Sequence, residues 1–418
     1  MRRVLVVLLS LIACLVFHSP AATAAGSRAA LELGESRPVE TTLGNPSIPA
    51  ARDVWVEMIR GAKQTLDLEH FYLSHKRGES LQPVLDAIGR AAARGVKVRL
   101  LLDAAMYATY PMPADSLAKL PNVTLRIVDY RRLAGGVQHA KFMIVDGRDA
   151  WAGSQNLDWR AMTQIHELGL RATDPVLAAA ASAVFESDWG GADTTRAFAP
   201  AAFAAPAWPR RVVQAKGDTA DVWFGASPRA TTPAGIPWDR DLIVQRIATA
   251  QRAVSVQVMQ YGVRNRGGAG DSTLHRALLD AAARGVKVRL LAADWTLGGA
   301  NEGALRDLAA HANVEVRISR VPDWSGGYIP FGRVEHCKYM VVDDEWLWVG
   351  TSNWEPSYFL NTRNVGFTVR NAKLAAQGRV IFETSWAAPT TAVWLPDTKL
   401  PPRVHGMEAP AGMKMYGE

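Results

Sequence analysis

Residues 91–101, with the sequence AAARGVKVRLL, recur letter for letter as residues 281–291, an offset of 190 positions. In each copy the segment ends an Ala- and Leu-rich run with helical character, turns at Gly95 or Gly285, and enters aliphatic residues typical of a buried strand. A helix, a turn and a strand in this order indicate a βαβ-type unit. Because eleven consecutive residues do not recur by chance, the chain contains an internal duplication.

A second pair of matching segments lies further along the chain. HAKFMIVD at residues 139–146 corresponds to HCKYMVVD at residues 336–343, now at an offset of 197, because the second copy has gained seven residues. This offset then holds without a gap as far as Trp189 and Trp386. The duplication therefore covers most of the chain.

The duplication predicts two homologous halves, residues 25–205 and 212–395. Strands alternate with helices in both halves, so we expect an α/β fold with layered sheets covered by helices. A Pro- and Ala-rich segment from Pro200 to Pro209 joins the halves, and residues 206–211 are assigned to the end of this linker. Residues 396–418 are predicted to form a meandering tail with no assigned function.

The N terminus has the pattern of a secretory signal. A cationic start at Arg2 and Arg3 precedes an apolar run from Val4 to Phe17, and a small-x-small sequence follows at residues 22–24. We therefore expect residues 1–24 to be a cleaved signal peptide and the mature protein to be secreted or periplasmic, with no transmembrane span. Lipidation of Cys14 is the alternative interpretation.

Composition excludes several classes of protein. The 418 residues are 48% hydrophobic and 21% charged, and the mean hydropathy is -0.04, which fits neither a disordered chain nor a polytopic membrane protein. Signal removal would leave Cys337 as the sole cysteine, so neither an intramolecular disulfide nor a cysteine zinc site is expected. The formal net charge of +7 suits an anionic substrate.

Each of the two longer motifs contains a His and a Lys two positions apart, His139 with Lys141 and His336 with Lys338. On a strand, both side chains of a pair would point to the same face. One H-x-K-x4-D match is expected by chance on the order of a hundredth of a time in a chain of this composition, and this chain has two. The two pairs are therefore predicted to converge on one site.

The residue types in these motifs suit chemistry on a phosphodiester. A neutral imidazole can attack an anionic phosphate without charge repulsion, and a second imidazole can supply a proton. The two Lys residues, together with the amides of Asn156 and Asn353, would surround the phosphate oxygens with hydrogen-bond donors.

This duplicated pattern resembles the phospholipase D superfamily over nearly the whole predicted mature chain. The resemblance implies two α/β/α sandwich halves related by a pseudo-two-fold axis, with one active site between them. It also implies that one His forms a phosphohistidine while the other protonates the leaving oxygen, and that no metal or other cofactor takes part. One chain supplies both motifs, so oligomerisation is not required to complete the site.

The family also has an acidic or amide residue, downstream of each motif, that orients the His of the other half. Here Glu167 lies 28 residues after His139, and Asn364 lies 28 residues after His336. A carboxylate stabilises the cation that forms on phosphorylation, whereas an amide orients an imidazole without raising its pKa. The hypothesis is therefore that Glu167 backs His336 as nucleophile, and that Asn364 backs His139 as general acid.

Several motif residues are predicted to be structural. Asp146 and Asp343 lie five positions beyond the Lys residues and are interpreted as organisers of the turn that follows each strand. Ser154, Thr351 and Ser352, beside the two Asn residues, are assigned structural roles as well.

The flanks of the motifs are similar to those of the lysosomal members of the superfamily and their poxviral relatives, and those lysosomal members are 5′ exonucleases on single-stranded nucleic acid. The similar segments include Gly153–Arg160, Glu167–Gly169 and Gly350–Trp354. The chain lacks the disulfide cysteines of those members. The first functional hypothesis is therefore an exported phosphodiesterase for single-stranded nucleic acid. Candidate substrate contacts, all of which could instead be core residues, are His70, Tyr72, Tyr261, Trp159 and Trp354.

Two alternatives remain open at this point. The first is phospholipid hydrolysis or headgroup exchange, with Trp324 to Phe331 as a candidate apolar lip. The second is a binding protein without catalysis, against which stands the presence of every His, Lys and Asn of both motifs. Six histidines without a counterpart at the matched offsets, among them His166, are left without a role.

Overall fold

The structure is a computed structural model that describes residues 29–265, 270–403 and 405–417. The predicted signal peptide, including Cys14, lies outside these residues. Within the described part of the chain, no helix is both long enough and apolar enough to span a bilayer.

Nine strands belong to the first half of the described chain. They are β1 (Leu31–Ser36), β2 (Thr65–His70), β3 (Leu73–Ser74), β4 (Lys97–Asp103), β5 (Val123–Val128), β6 (Phe142–Val145), β7 (Asp149–Gly153), β8 (Leu157–Asp158) and β9 (Glu167–Thr173). Seven form one sheet in the order β1-β9-β7-β6-β2-β4-β5, and β3 pairs with β8. In the large sheet β2, β4 and β5 run parallel, and the other pairs are antiparallel.

Nine more described strands form a single sheet in the second half. They are β10 (Arg210–Val213), β11 (Thr219–Ser227), β12 (Ala253–Val258), β13 (Lys287–Ala293), β14 (Val314–Ser319), β15 (Lys338–Val342), β16 (Trp346–Gly350), β17 (Asn364–Arg370) and β18 (Thr391–Trp394). Their order is β10-β11-β17-β16-β15-β12-β13-β14-β18. The central seven repeat the order of the first sheet, and β10 and β18 are added at its edges. Strand β10 begins within the segment that the sequence assigned to the linker.

Helices cover both sheets. In the described chain they are α1 (Ala51–Gly61), α2 (Gln82–Ala93), α3 (Ala104–Thr109), α4 (Pro111–Ala118), α5 (Tyr130–Ala134), α6 (Trp159–Thr163), α7 (Pro175–Gly191), α8 (Asp239–Thr249), α9 (Thr273–Ala283), α10 (Glu302–Ala309), α11 (Pro356–Leu360) and α12 (Ala372–Trp386). The repeated eleven residues form the end of α2 or α9 and the strand that follows. Gly95 and Gly285 have φ values of 91° and 89° in the intervening turns, a conformation that glycine adopts without steric cost. The predicted helix, turn and strand are confirmed in both halves.

One hydrophobic core joins the two halves. Strands β7 and β9 pack against β16 and β17, and α7 of the first half reaches β11 of the second. The shared core includes Phe142, Leu168 and Phe185 from the first half and Tyr339, Phe367 and Phe382 from the second. Each half also has its own core on the outer face of its sheet. The two sheets therefore face each other, and the motifs lie at their junction.

The predicted tail has neither helix nor strand in its described residues, yet its backbone is held by the second half. Tyr328 N–H donates to the carbonyl of Lys414 at 2.7 Å, and Tyr416 N–H donates to the carbonyl of Tyr328 at 2.9 Å. The Tyr416 hydroxyl donates to Glu79 of the first half. The tail thus lies across both halves.

Candidate active site

The two His–Lys pairs lie where the chain enters β6 and β15. His139 and Lys141 come just before β6, and Lys338 is the first residue of β15. The prediction that each His lies within a regular strand is therefore wrong. The physical reason is that the backbone around each His pairs with the opposite half instead of with its own sheet.

Backbone hydrogen bonds join each motif to the other half. His139 N–H donates to the carbonyl of Arg363 at 3.0 Å, and His336 N–H donates to the carbonyl of His166 at 2.9 Å. Arg363 N–H in turn donates to Val137, and His166 N–H donates to Val334, both at 3.0 Å. These two short parallel bridges bring the motifs together at one place.

His139 is oriented by Asn364 of the second half. Its Nδ1 lies 3.0 Å from Asn364 Oδ1. Asn364 Nδ2 donates to the carbonyls of Tyr358 and Thr362 at 2.8 and 3.3 Å, and the Thr351 hydroxyl donates to Oδ1 at 2.8 Å. Because these bonds fix which end of the amide accepts, Nδ1 of His139 carries a proton and Nε2 is left for the substrate.

His336 is backed by Glu167 of the first half. Its Nδ1 lies 3.3 Å from Glu167 Oε1. Glu167 is fully buried, and burial raises the pKa of its carboxyl to about 8, against the opposing charges of Lys338 and Lys141. Ser154, at the position equivalent to Thr351, accepts the N–H of Leu168 at 3.1 Å. Catalytic contacts in an empty site are often long and tighten when substrate binds.

Both motif lysines are fully buried between the halves. Lys141 Nζ donates to the carbonyl of His139, and Lys338 Nζ donates to that of His336 at 2.6 Å. Burial lowers the pKa of Lys338 to about 7 despite the nearby Glu167. Burial and the charge of Lys338 also lower the pKa of Lys141. The two lysines thus place positive charge where a phosphate anion would neutralise it.

The two imidazoles share one electrostatic environment. Burial, followed by the charge of Lys141, lowers the pKa of His139 well below its ordinary value. Burial also lowers the pKa of His336, and the charges of Lys338, Lys141 and His139 add to this effect. These effects favour the neutral form of both rings. A bound phosphodiester would offset the lysine charges and raise the pKa of the His that must carry a proton.

Asn156 and Asn353 are buried beside the motifs. Asn353 Nδ2 donates to Gln260 Oε1 at 3.3 Å. The Oδ1 atoms of both residues accept no hydrogen bond from any described residue. The buried hydroxyl of Ser352 likewise has no hydrogen-bond partner among the described residues. Since an amide can present either end after a half-turn, both Asn side chains can offer an N–H to a phosphate oxygen.

Asp146 and Asp343 lie away from the reacting groups and bind backbone. The Asp146 carboxylate accepts the N–H groups of residues 63–65 at 2.7–2.9 Å, and Asp343 accepts those of residues 251–253 at the same distances. Their backbones form the hairpin turns after β6 and β15, with φ values of 51° and 53°. The side chains, however, hold a different turn from the predicted one, namely the turn that precedes β2 or β12.

Aromatic rings surround His139. The rings of Phe71 and Tyr358 each lie 5.0 Å from its imidazole, and Lys141 Nζ is 5.1 Å from the Phe71 ring. Tyr72 packs on Phe71 and Tyr110, at 5.7 and 5.5 Å, and its hydroxyl donates to Asp158 at 2.8 Å. All four of these aromatic residues are half-buried.

Two predicted substrate contacts, Trp354 and Tyr261, are wrong because their side chains are in the core, whereas the contact predicted for His70 stays a prediction. Trp354 is 1% exposed and packs in the core of the second half. Tyr261 is also 1% exposed, and its hydroxyl is hydrogen-bonded to His275 at 2.8 Å. His70 is fully buried, edge-on to Trp55.

The strand register shows why Tyr261 and Trp354 lie in the core and not at the substrate site. Leu73 pairs with Leu157 in the first half, and Tyr261 pairs with Trp354 at the equivalent place in the second. Tyr261 therefore corresponds to Leu73 of the core and not to Tyr72. Trp159 differs from Trp354, since it is half-buried and lies 5.8 Å from the ring of Tyr416 in the tail.

The predicted apolar lip, Trp324 to Phe331, lies largely under the tail. Tyr328 and Ile329 are 7% and 2% exposed, and Trp324 packs on Tyr416 at 4.8 Å. Phe331 is 37% exposed. The segment therefore does not present a continuous apolar surface.

One buried group in the described chain has the residue types of a metal site, namely His166, Glu335 and Cys337. Both imidazole nitrogens of His166 are already hydrogen-bonded, to Glu335 at 2.6 Å and to Glu35 at 2.9 Å. No lone pair of this ring is free for a metal ion, so the group is better described as an ionic cluster.

Sequence reasoning missed several residues around the site. Gln260 and Tyr358 face the motif residues, while His166, Glu335 and Arg363 hold the backbone beside them. A signal was present: His166 and Arg363 directly precede Glu167 and Asn364, at the same offset of 197. Because the two residues are chemically different, a search for identical positions did not find them.

Comparisons with known proteins agree with this architecture. A family model described as "Cardiolipin synthase, PLD-like domain" matches residues 55–189 and 243–386, one segment in each half. "Phospholipase D Z" of Dictyostelium discoideum is 30% identical over 381 residues, covering 86% of this chain and 89% of the relative. "5'-3' exonuclease PLD3" of Rattus norvegicus is 31% identical over 396 residues, covering 83% and 76%. The crystal structure of phosphatidylserine synthase from Haemophilus influenzae Rd KW20 superposes on this chain with a TM-score of 0.55 at 16% identity. The match covers 82% of this chain and 85% of the synthase chain, and it shows a shared fold.

Proposed function

The chain belongs to the phospholipase D superfamily of phosphodiesterases, and from this premise we propose that it cleaves single-stranded nucleic acid through a phosphohistidine, without a metal cofactor. The observation that carries the proposal is the crossed pairing of the motifs. His139 is hydrogen-bonded to Asn364 and His336 lies 3.3 Å from Glu167, each a residue of the opposite half, so both imidazoles and both lysines would act at a single position.

The proposed reaction has two steps. Nε2 of His336 attacks phosphorus while the bond from phosphorus to the leaving oxygen breaks, and His139 gives its proton to that oxygen. Water then attacks the phosphohistidine, His139 takes the proton from this water, and the P–N bond breaks. Lys141, Lys338 and the two Asn amides hold the equatorial oxygens throughout.

The two backing residues support this division of roles. Phosphorylated His336 is a cation, and that charge would lower the pKa of Glu167 from about 8, so that a carboxylate 3.3 Å from Nδ1 stabilises the phosphohistidine. Asn364 is neutral and orients His139, and its hydrogen bond raises the pKa of that imidazole by less than burial and the charge of Lys141 lower it. His139 can then release its proton readily, as a general acid must.

The surroundings of the site favour a nucleic acid over a lipid. Half-buried rings of Phe71 and Tyr358 lie beside His139, with Tyr72 and Tyr110 packed behind Phe71, and aromatic rings stack on nucleobases without regard to sequence. The apolar lip that a phospholipase would need is largely covered by the tail. The similarity to relatives named as 5'-3' exonucleases supports the same substrate class.

Location and assembly are part of the proposal. Residues 1–24 would direct export and be removed, which places the enzyme outside the cytoplasm. One chain would complete the site, because both motifs and both backing residues belong to it. Mass spectrometry of the exported protein, and sedimentation of the active form, test these two points.

The deciding experiment offers two substrates to the purified protein in EDTA. One is a short single-stranded oligonucleotide with a 5′-hydroxyl, and the other is phosphatidylcholine vesicles with ethanol. Release of nucleotides, absent with His336→Ala, is the expected result. Phosphatidylethanol alone would support the lipid alternative, and no product from either substrate would support a binding protein. Nucleotide release that stops in EDTA and returns with a divalent ion would contradict the metal-free mechanism.

A further inference from the structure

His166 and Arg363 occupy equivalent positions, directly before Glu167 and Asn364, and each is fully buried in a cluster of charges. We propose that His166, held as an imidazolium between Glu35 and Glu335, is a positioning residue that places His336 and tunes its charge, and that Arg363 is the counterpart for His139. This inference deepens the proposed function and rests on it for its catalytic meaning.

The contacts of His166 fit a charged ring, which satisfies both neighbouring carboxylates at once. Nδ1 lies 2.6 Å from Glu335 Oε2, and Nε2 lies 2.9 Å from Glu35 Oε1. All three side chains are fully buried. A neutral imidazole has one N–H and could donate to only one of the two carboxylates, whereas an imidazolium donates to both.

The local charges agree with this assignment. Burial alone would lower the pKa of His166, but Glu335 and Glu35 outweigh burial and raise the pKa to about 10. Burial likewise opposes ionisation of Glu335, yet His166 lowers the pKa of that carboxyl. Two carboxylates around one cation leave a net negative charge beside His336.

The cluster is connected to the catalytic pair through adjacent residues. Glu335 directly precedes His336, and His166 directly precedes Glu167. The carbonyl of His166 accepts the N–H of His336 at 2.9 Å, and Glu335 Oε1 accepts the N–H of Cys337 at 3.2 Å. A shift of His166 would therefore move the nucleophile and the residue that backs it.

Glu35 anchors the cluster to the first sheet. It lies on β1, and its Oε2 accepts the N–H of Asn45 at 2.9 Å and is 3.7 Å from Arg37. The cluster thus connects β1 and β9 of the first half with the entry to β15 of the second. Cys337 also belongs to this group, and the charges of Glu335 and Glu167 act on both Cys337 and Lys338.

Arg363 makes the corresponding connection on the other side. Its guanidinium binds both oxygens of Asp188 at 2.6 and 3.0 Å and donates to the carbonyls of Ser227 and Thr231 at 2.9 and 2.8 Å. Its own carbonyl accepts the N–H of His139. Asp188 belongs to the first half and the two carbonyls to the second, so Arg363 also joins the halves.

The test compares the pH profile of kcat/KM for the oligonucleotide in variants of the full-length protein. Loss of the cation in His166→Gln leaves the two carboxylates uncompensated, which raises the pKa of His336. The acid limb of the profile reports the loss of a proton from His336, which must be neutral to attack phosphorus. The midpoint of this limb should then move up by at least half a pH unit. We expect kcat to fall about tenfold or more with KM within about twofold. His166→Lys, which keeps a cation, should restore most of kcat and the position of the limb.

Two further variants separate charge from packing. Glu335→Gln removes a negative charge and should move the acid limb down, the opposite direction, and glutamine already occupies the equivalent position 138. His275→Gln is the matched control, because His275 is also buried and bound to a carboxylate, Asp307 at 2.7 Å, but lies away from the site. We expect its acid limb to stay in place even if its melting temperature falls.

Several results would overturn the inference. An unmoved acid limb with wild-type kcat in folded His166→Gln would do so, as would a loss of kcat that His166→Lys fails to restore. If His166→Gln has no cooperative melting transition and so does not fold, the test rests on Glu335→Gln. The inference then requires that the acid limb of Glu335→Gln moves down. Nitrogen-15 NMR of labelled histidines is independent of turnover, and a neutral His166 at pH 8 would contradict the inference. Wild-type protein without activity on any phosphodiester would instead reject the proposed function.

Discussion

The surroundings of His139 and His336 are built from equivalent positions but carry different charges. Behind His139 lies the amide of Asn364, and behind His336 lies the carboxylate of Glu167. The His, Lys and Asn residues that would touch the phosphate are identical in the two halves. The difference teaches that the duplicated chain keeps its reacting groups symmetric and distinguishes their roles through the residues behind them.

The residues that directly precede His139 and His336 also differ in charge. The residue before His139 is the neutral Gln138, which donates to Glu69 at 3.0 Å, whereas the residue before His336 is the ionised Glu335. Arg363 holds one junction and His166 the other. An arginine stays charged at every physiological pH, but a histidine can lose its proton. His166 nevertheless stays charged at neutral pH, because against the effect of burial Glu335 and Glu35 raise its pKa to about 10.

The largest expected effect comes from removing either imidazole. His139→Ala and His336→Ala should each lower oligonucleotide turnover by about 10³-fold or more, because members of one catalytic unit fail together. A p-nitrophenyl phosphodiester has a leaving group that needs no proton. With this substrate, His139→Ala should retain a burst of p-nitrophenolate, measured by stopped-flow absorbance, and His336→Ala should show none. A burst in His336→Ala alone would reverse the assigned roles.

Changing the charge of Glu167 or Asn364, the residues behind the two imidazoles, should have a smaller effect than removing an imidazole. Glu167→Gln is expected to lower kcat about 10²-fold, because the phosphohistidine cation loses its carboxylate. Asn364→Asp places a carboxylate behind the general acid and raises the pKa of His139. The alkaline limb of the kcat profile should then move up by about one pH unit, with less than a tenfold loss at neutral pH. A greater loss in Asn364→Asp than in Glu167→Gln would contradict the comparison.

Binding of the anionic substrate should weaken as pH rises through neutrality. Burial lowers the pKa of Lys338 to about 7, so the ammonium is charged below this pH and neutral above it. A labelled oligonucleotide bound to the inactive His336→Ala protein should show a Kd that increases about tenfold between pH 6 and pH 8.5 in fluorescence anisotropy. Lys338→Met should remove most of this dependence. An unchanged slope in that variant would show that another group is responsible.

The smallest effect on the reaction is expected at the two motif aspartates. Asp146→Asn and Asp343→Asn each weaken three backbone hydrogen bonds, so the melting temperature should fall by about 1–4 °C while kcat stays within about twofold. Although burial acts in the opposite direction, backbone N–H groups lower the pKa of Asp146 below 3.8. Its stabilisation is therefore present above that pH and is lost as pH falls through the lowered value. A large loss of kcat without a change in melting would assign these residues to the chemistry.

Local sequence pattern predicted much of the fold. The eleven repeated residues contain their own helix end, glycine turn and buried strand, and both copies form these elements. The duplication also predicted two equivalent sheets. The edge strands β10 and β18 have no counterpart in the first half, so the repeat carried no information about them.

The candidate site was predicted less completely, for a physical reason. His139, His336 and the residues that back them follow from matched spacing. The ionic clusters around His166 and Arg363 depend on which side chains meet after the halves pack, and sequence spacing does not specify this. Tyr261 and Trp354 were assigned to the substrate site but lie in the core. Aromatic residues near a motif fill the core as readily as they line a cleft.

The central claim is that both imidazoles act on one phosphorus atom, with His336 as the nucleophile. It is tested most directly by a single turnover with an internally labelled oligonucleotide, an alkaline quench that preserves phosphohistidine, and tryptic mapping. Trypsin separates the two residues, since His336 lies in Val334–Lys338 and His139 in Leu133–Lys141. The account predicts label in the first peptide and none in the second. Label on His139 with none on His336, or full turnover without any labelled histidine, would contradict it.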